Sequence, residues 1–266
     1  MTNKQIKEIT NLRDKSKARR ELGMYIVEGL KMFAEAEPDK VVGTFVTSSF
    51  AKEHASVLAG RNYEIIDDSL MQKLSDTKTP QGVLCVVRRQ EHTLEQILEN
   101  KGRLYVILED IQDPGNLGTI MRTGEGAGVA GVIMSKGCVD IYNPKTIRST
   151  MGSIYRVPFV YVDDLGQAID NVRAAGIKVY AAHLKGQKNY CDVSYARSAF
   201  LIGNEGNGLT DATADKADEY IRIPMEGKVE SLNAAVATSI LMYEHLRQQK
   251  QTDLCCEKPK RIIQKA

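Results

Sequence analysis

The sequence has little net charge: 36 Lys and Arg stand against 34 Asp and Glu, leaving a formal +2 over 266 residues. A molecule-wide field for polyanions is excluded, so any nucleic-acid surface must be a local patch. Cysteine is scarce and scattered. Cys85, Cys138, Cys191, Cys255 and Cys256 form no Cys-x-x-Cys pair, which excludes the usual zinc and redox motifs and leaves reduced thiols of a cytosolic protein as the expectation. No apolar run approaches the ~18 residues of a membrane span, and the opening MTNKQIKEIT has no secretory apolar stretch. Repeats and low-complexity tracts are missing too. The expectation is a soluble, cytoplasmic protein with no metal and no membrane association.

What is present is a chain of 42% hydrophobic residues, enough for one large core or two smaller ones, since domains run to roughly 100–200 residues. Residues 1–20 carry Lys4, Lys7, Arg13, Lys15, Lys17, Arg19 and Arg20, with Ile6, Ile9 and Leu12 at helical spacing. That pattern predicts a helix with one apolar stripe. Its basic face has two open readings, a solvated surface or a phosphate-binding one.

From Met24 short apolar runs alternate with helical segments up to GVLCVV, the pattern of an α/β sandwich. Lys17-x-Arg19-Arg20-x5-Ile26-Val27-Glu28-Gly29 resembles the start of the small RNA-binding domain of ribosomal protein L30e and its relatives, in which residues around the first strand and following helix touch RNA. A plain α/β domain without a ligand fits the same pattern. Charge at 87–92 and a connecting helix in TLEQILENKG place a domain boundary between about residues 90 and 102.

Leu104-Tyr105-Val106-Ile107-Leu108 reads as a buried central strand. The turn-forming residues 109–116 follow it, and then a helix over 117–127. Ligand chemistry in open α/β sheets gathers at the carboxyl ends of strands, so this loop is a candidate site. Asn116 is either part of it or a helix cap, and Arg122 either part of it or a surface arginine. Gly126-x-Gly128-x-x-Gly131 matches the dinucleotide fingerprint in letters. It falls at the end of a helix and leads into a strand, however, and phosphate binding needs the reverse order; a helix terminator and close helix–sheet packing are expected instead.

Further strands are expected over 157–162, 178–184 and 199–202, and helices over 143–151 and 165–175. Lys145, Arg148 and Ser149, with Arg156, form either a phosphate-facing edge or a solvated face. His183 and His245 have no partners at metal-ligand spacing, and a strand histidine is commonly a satisfied core residue.

The stretch 201–237 is the most informative. Gly203, Gly206 and Gly208 allow a tight turn and close backbone approach, which leaves Glu205 between them unexplained. A strand over 221–225 is expected to end its pairing at Pro224. Ser231 is expected to cap a helix whose Ala234, Ala235, Ala237, Thr238 and Ser239 keep it thin. Dense packing accounts for the alanines but not for Ser231 together with Asn233.

Taken in order, Asn116…Arg122, Gly203-Asn204-Glu205-Gly206-x-Gly208-Leu209 and Ile223-Pro224-Met225…Ser231-Leu232-Asn233-x-x-x-Ala237 resemble the three motifs of the SpoU (TrmH) branch of the SPOUT RNA 2′-O-ribose methyltransferases. The resemblance covers about residues 104–249, and the amino-terminal part resembles that family's substrate-binding domain. It implies a small L30e-like α/β sandwich over 1–95, followed over 96–266 by a SPOUT α/β domain with a carboxy-terminal trefoil knot at about 199–249. Topology rules alone would exclude a knot. It further implies a homodimer formed through the catalytic domain, S-adenosylmethionine as cofactor and RNA as partner.

By position, the resemblance implies that Gly203, Ile223, Met225 and Leu232, with Ala182 and His183, line the cofactor pocket. Asn116, Arg122, Glu205, Ser231 and Asn233 would form the reacting edge, with Glu205 orienting Arg122 or the substrate. Lys17, Arg19, Arg20, Lys145 and Arg148 would touch RNA. A guanidinium holds its proton too tightly to act as a simple base, so Arg122 is expected to stabilise developing alkoxide charge or clamp the adjacent phosphate. The expected substrate is ribosomal RNA, 23S in particular. Transfer RNA, a catalytically silent RNA-binding or assembly factor, and a nicotinamide oxidoreductase resting on the misplaced glycines are the alternatives. The basic stretch Lys258-Pro259-Lys260-Arg261 is either an RNA contact or a frayed end.

Overall fold

A computed structural model of the chain describes residues 1–256, with side chains through residue 252; the basic stretch at 258–261 lies outside the described residues. The first elements are α1 (Asn3–Asp14), α2 (Ser16–Leu22), β1 (Met24–Glu28), α3 (Leu30–Glu35) and β2 (Val41–Val46). Next come α4 (Ser48–Glu53), α5 (Ala55–Leu58), β3 (Glu64–Ile65), α6 (Asp68–Leu74), β4 (Val83–Arg88) and α7 (Leu94–Glu99). These strands form a four-stranded sheet in the order β1-β4-β2-β3, antiparallel except for the β2–β3 pair.

The chain continues through β5 (Leu104–Leu108), α8 (Pro114–Ala127), β6 (Gly131–Ser135), α9 (Pro144–Thr150), β7 (Phe159–Val162) and α10 (Leu165–Ala174). Then follow β8 (Lys178–Ala182), β9 (Lys188–Asn189), β10 (Ser198–Ile202), α11 (Asp211–Ala214), β11 (Glu219–Arg222) and α12 (Ala234–Cys256). Their strands make a parallel seven-stranded sheet, β7-β6-β5-β10-β8-β11-β9.

Successive strand residues face opposite sides, and β5 shows it. Leu104, Val106 and Leu108 join one apolar cluster, while Tyr105 and Ile107 join another on the opposite face. The first cluster continues into the amino-terminal sheet through Tyr25, Val27, Val83, Cys85 and Val87, and onto α3 through Phe33. The two sheets therefore share one core. Tyr142 links them: its ring lies 4.5 Å from that of Tyr25, and its hydroxyl donates to the Gln90 carbonyl at 2.7 Å. Tyr155 adds a hydrogen bond to the Met32 carbonyl at 3.0 Å.

Three expectations need correction. The amino-terminal helix is two helices, because Lys15 adopts an extended conformation between them. Arg19 is not an RNA contact: only 3% exposed, it pairs with Asp140 at 2.8 Å and donates to the Leu12 and Arg13 carbonyls. With these partners taking four of its five N–H donors and the side chain buried, the guanidinium presents no open face to a phosphate. The last helix is capped by Asn233 rather than Ser231, since Asn233 Oδ1 accepts from the Ala235 and Val236 amides at 2.9 and 3.2 Å. The glycines of 126–131 terminate a helix and allow close packing, as their order predicts. Gly128, at φ 76°, ends α8, and a Cβ on Gly131 would lie 2.3 Å from the Ile97 side chain, which marks close helix–sheet packing.

Candidate active site

Strand order locates the crevice. From β5 the chain moves outward to β6 and β7, whereas from β10 it moves the other way, past β8 to β11. Neighbouring strands whose connections diverge leave an opening beyond their carboxyl ends. Beyond β5 lies the turn 109–113, and beyond β10 lies Gly203.

The turn after β5 is fixed by α8. Asp113 caps that helix by accepting from the Asn116 amide at 2.8 Å, so Asn116 is not the cap but lies within the first turn. Glu205 reaches this end from the opposite strand. Its carboxylate accepts from the Gln112 and Asp113 amides at 3.0 and 3.1 Å and from Asn116 Nδ2 at 2.9 Å. An acid at a helix N-terminus also meets the positive end of the helix dipole. Partial desolvation raises the Glu205 pKa, and the hydrogen bonds from Asn116 and the backbone outweigh it, so the group lies below the ordinary carboxylate value.

A carboxylate only accepts, so Asn116 must present its amide nitrogen to Glu205. Its Oδ1 is then free to accept from Asn233 Nδ2, at 2.9 Å, and Asn233 Oδ1 is held by the start of α12. Glu205, Asn116 and Asn233 form one directional chain joining three segments distant in sequence.

Gly203 opens a small hairpin in which Asn204 and Gly208 exchange backbone hydrogen bonds at 3.0 and 2.9 Å. A Cβ on Gly203 would lie 2.2 Å from the Gly208 carbonyl carbon, so only glycine fits. Asn204 secures the hairpin by donating to the Asp110 carbonyl at 2.7 Å. Ala182 ends β8 beside Ile221. His183 follows, its Nδ1 accepting from the Lys185 amide at 3.0 Å and its ring 5.2 Å from that of Tyr220. Ile223, Met225 and Leu232 are half-buried in the segment between β11 and α12. The backbone amides of 225–232 donate no hydrogen bond within the described residues, and the half-buried apolar side chains beside them suit a ligand with apolar faces and polar edges.

The remaining predicted residues stand apart from this chain. Arg122 is exposed on α8, one and a half turns past Asn116, with no hydrogen-bond or ion-pair partner among the described residues. Glu205 therefore anchors the 112–116 turn and does not orient Arg122. Ser231 is exposed, two residues before Asn233. Lys145 lies 3.8 Å from Asp113, and Arg148 pairs with Asp76 of the amino-terminal part at 2.7 Å. Lys17 and Arg20 are exposed on α2. Within the 109–116 loop, the residue that fixes the turn is Asp113, which carries the signal of a cap directly before proline.

Parallel α/β architecture with a polar chain across its switch point marks a ligand-binding α/β protein. By its sequence the chain belongs to the SpoU rRNA methylase family, whose model matches residues 103–243, and residues 3–85 match an MRM3-like substrate binding domain. It is 32% identical over 247 residues to the 23S rRNA (guanosine(2553)-2′-O)-methyltransferase RlmP of Bacillus subtilis, covering 92% of this chain and 96% of that one. Among solved structures it resembles the SpoU methyltransferase AviRb of Streptomyces viridochromogenes in complex with AdoMet, with a TM-score of 0.84, 29% identity and coverage of 94% and 99%. An AdoMet-bound rRNA methyltransferase of Sinorhizobium meliloti superposes with a TM-score of 0.82 at 32% identity, covering 93% of this chain and 95% of that one.

Proposed function

We propose that the chain transfers a methyl group from S-adenosylmethionine to a ribose 2′-hydroxyl of ribosomal RNA, 23S in particular. The observation that carries this reading is the Glu205–Asn116–Asn233 chain across the crevice between β5 and β10, supported by family membership and by the relative RlmP. Gly203, Ile223, Met225 and Leu232, with Ala182 and His183, would hold the cofactor through close backbone approach and apolar contact. The cofactor supplies an activated sulfonium methyl.

The chain's own residues then have two tasks, to align the hydroxyl and to manage its charge. Alignment alone contributes about 7–11 kcal/mol in well-oriented systems. Asn116 and Asn233, each locked by its neighbours, provide a rigid edge for the ribose, and Ser231 adds a hydroxyl beside it. Arg122, without a protein partner among the described residues, stabilises the developing alkoxide or grips the adjacent phosphate.

Residues 1–95 would form an L30e-like substrate-binding domain and 96–266 the catalytic domain, with the chain knotted at about 199–249. Lys17, Arg20, Lys145 and Arg148 would meet RNA phosphates. Two copies would pair through the catalytic domain, in the cytoplasm. No helix among the described residues is long and apolar enough to cross a membrane. Labelled methyl transfer to total RNA, followed by mapping of 2′-O-methyl sites in cells with and without the protein, tests the reading. Binding of S-adenosylmethionine without transfer to any RNA would sink it in favour of a silent RNA-binding factor.

A further inference from the structure

One buried carboxylate takes no part in the chain described above. Glu109 immediately follows β5, is only 7% exposed, and makes no ion pair among the described residues. Its Oε2 accepts from the Thr210 amide at 2.8 Å, and its Oε1 accepts from the Thr210 hydroxyl at 2.8 Å and from the Thr213 hydroxyl. Its own amide donates to the Ile202 carbonyl at 2.9 Å. A carboxylate is costly to bury unless its lone pairs are met. Here they are met entirely by the segment that leaves the Gly203–Gly208 hairpin.

That hairpin has two ends. The first is fixed by β10, which pairs with both β5 and β8. The second leaves through Leu209, buried in the apolar cluster of β5 and β10, to Thr210, whose polar groups Glu109 holds. The separation matters because Gly208 and Leu209 press against Gly203: their backbone atoms lie 2.2–2.4 Å from where a Gly203 Cβ would stand. A shift at Thr210 would move the wall beside Gly203 and, through the Asn204–Gly208 bridge, the tip that carries Glu205. Thr210 also caps the four-residue α11 through the Thr213 amide, but that cap needs no buried acid behind it.

We infer that Glu109 is a positioning residue for methyl transfer, holding the far end of the 203–208 hairpin so that the cofactor wall and Glu205 keep their places. The inference rests on the reading of Gly203 as part of the cofactor pocket. It predicts a selective defect: the cofactor site loosens, while the RNA-contacting surfaces on α2 and α9 stay as they are.

The test measures S-adenosylmethionine dissociation and both KM values for wild type, Glu109→Ala, Glu109→Gln and Thr213→Val. Charge-assisted hydrogen bonds of this kind lead us to expect about a tenfold or greater rise in cofactor Kd and KM for Glu109→Ala, with kcat lowered. The KM for RNA should hold within about twofold. Glu109→Gln, which retains an acceptor for the Thr210 amide, should recover most of the affinity. An unchanged cofactor KM in a folded Glu109→Ala protein overturns the inference, as does an equal rise in both KM values. Should Glu109→Ala not fold, Thr213→Val decides: a raised cofactor KM supports the role and an unchanged one removes it. Wild type that binds no S-adenosylmethionine overturns the parent reading as well, and is recognised before any variant is compared.

Discussion

Asn233 Nδ2 donates to Asn116 Oδ1 across 2.9 Å, joining the start of the last helix to the first turn of α8, 117 residues earlier. Because Asn116 is also committed to Glu205 at 2.9 Å, neither amide can turn without breaking the chain. Asn116→Ala should therefore lower kcat by about 10²-fold, the scale of a misplaced reacting edge, while cofactor affinity changes little. Single-turnover methyl transfer alongside calorimetric cofactor binding separates the two. Equal losses in both would mean that the amide supports the pocket instead.

Arg122 is the exposed cation of α8 without a protein partner among the described residues. Charge stabilisation at a developing oxyanion is commonly worth about 10²–10³ in rate, and Arg122→Ala should show a loss of that order. Arg122→Lys keeps the charge but not the planar fork, and should recover less than a tenth of wild-type turnover. Near-normal turnover in the lysine variant would rule out a fork-shaped role.

At Gly203 the constraint is steric. A Cβ placed 2.2 Å from the Gly208 carbonyl carbon and 2.3 Å from the Leu209 amide nitrogen meets backbone on both sides, which cannot yield as a side chain would. Gly203→Ala should abolish measurable S-adenosylmethionine binding and lower stability by about 1–3 kcal/mol, the usual range for overpacking. Gly206→Ala is the control, since its Cβ would meet only Asn204 Oδ1 at 3.5 Å. Calorimetric titration and thermal melts on both variants check the contrast.

What was legible in the sequence followed local rules. The LYVIL run of β5 is buried on both faces, as a continuous apolar strand should be. Gly128 stops a helix as its place in the pattern required. What was illegible depended on partners far away. Arg19 reads like its neighbours Lys17 and Arg20 until Asp140, 121 positions later, folds against it. Ser231 and Asn233 are equally good caps by composition, and only the point at which α12 docks on α8 selects Asn233. Glu205 was rightly singled out as an unexplained acid, yet its partners are Asn116 and two backbone amides at the head of α8, which no spacing rule would reveal.

Buried Arg19 and exposed Lys17 are two kinds of basic residue. Removing one partner of a buried pair strands the other, at about 3–5 kcal/mol, so Arg19→Ala should lower the melting temperature markedly. The intrinsic RNA affinity of its folded fraction should be unchanged. Lys17, with 80% of its side chain exposed beside Glu21, should behave oppositely. Lys17→Ala should leave the melting temperature in place, weaken RNA binding and flatten its salt dependence by about one phosphate contact. Thermal melts and filter binding across a salt series measure both; equal RNA affinity for wild type and Lys17→Ala would remove α2 from the RNA surface.

Acid should weaken the same chain from its other end. The Glu205 pKa in the folded protein lies below its ordinary value, hydrogen bonds from Asn116 and the backbone outweighing desolvation. A depressed carboxylate contributes stability that is fully present above the unfolded pKa, about 4.3 for glutamate. That contribution is lost as pH falls through the folded pKa. Protonation removes an acceptor from Asn116 Nδ2 and from the Gln112 and Asp113 amides, so the 112–116 turn should loosen in that window and not at neutral pH. The protection of the Gln112 and Asp113 amides relative to their intrinsic exchange rates, followed by NMR from neutral pH downward, should fall only below the ordinary carboxylate range. Glu205→Gln should shift that behaviour to all pH values, because its amide can accept through one oxygen only. Exchange that is already fast at neutral pH in wild type would show that the carboxylate does not hold the turn, and would detach Glu205 from Asn116 in the working enzyme.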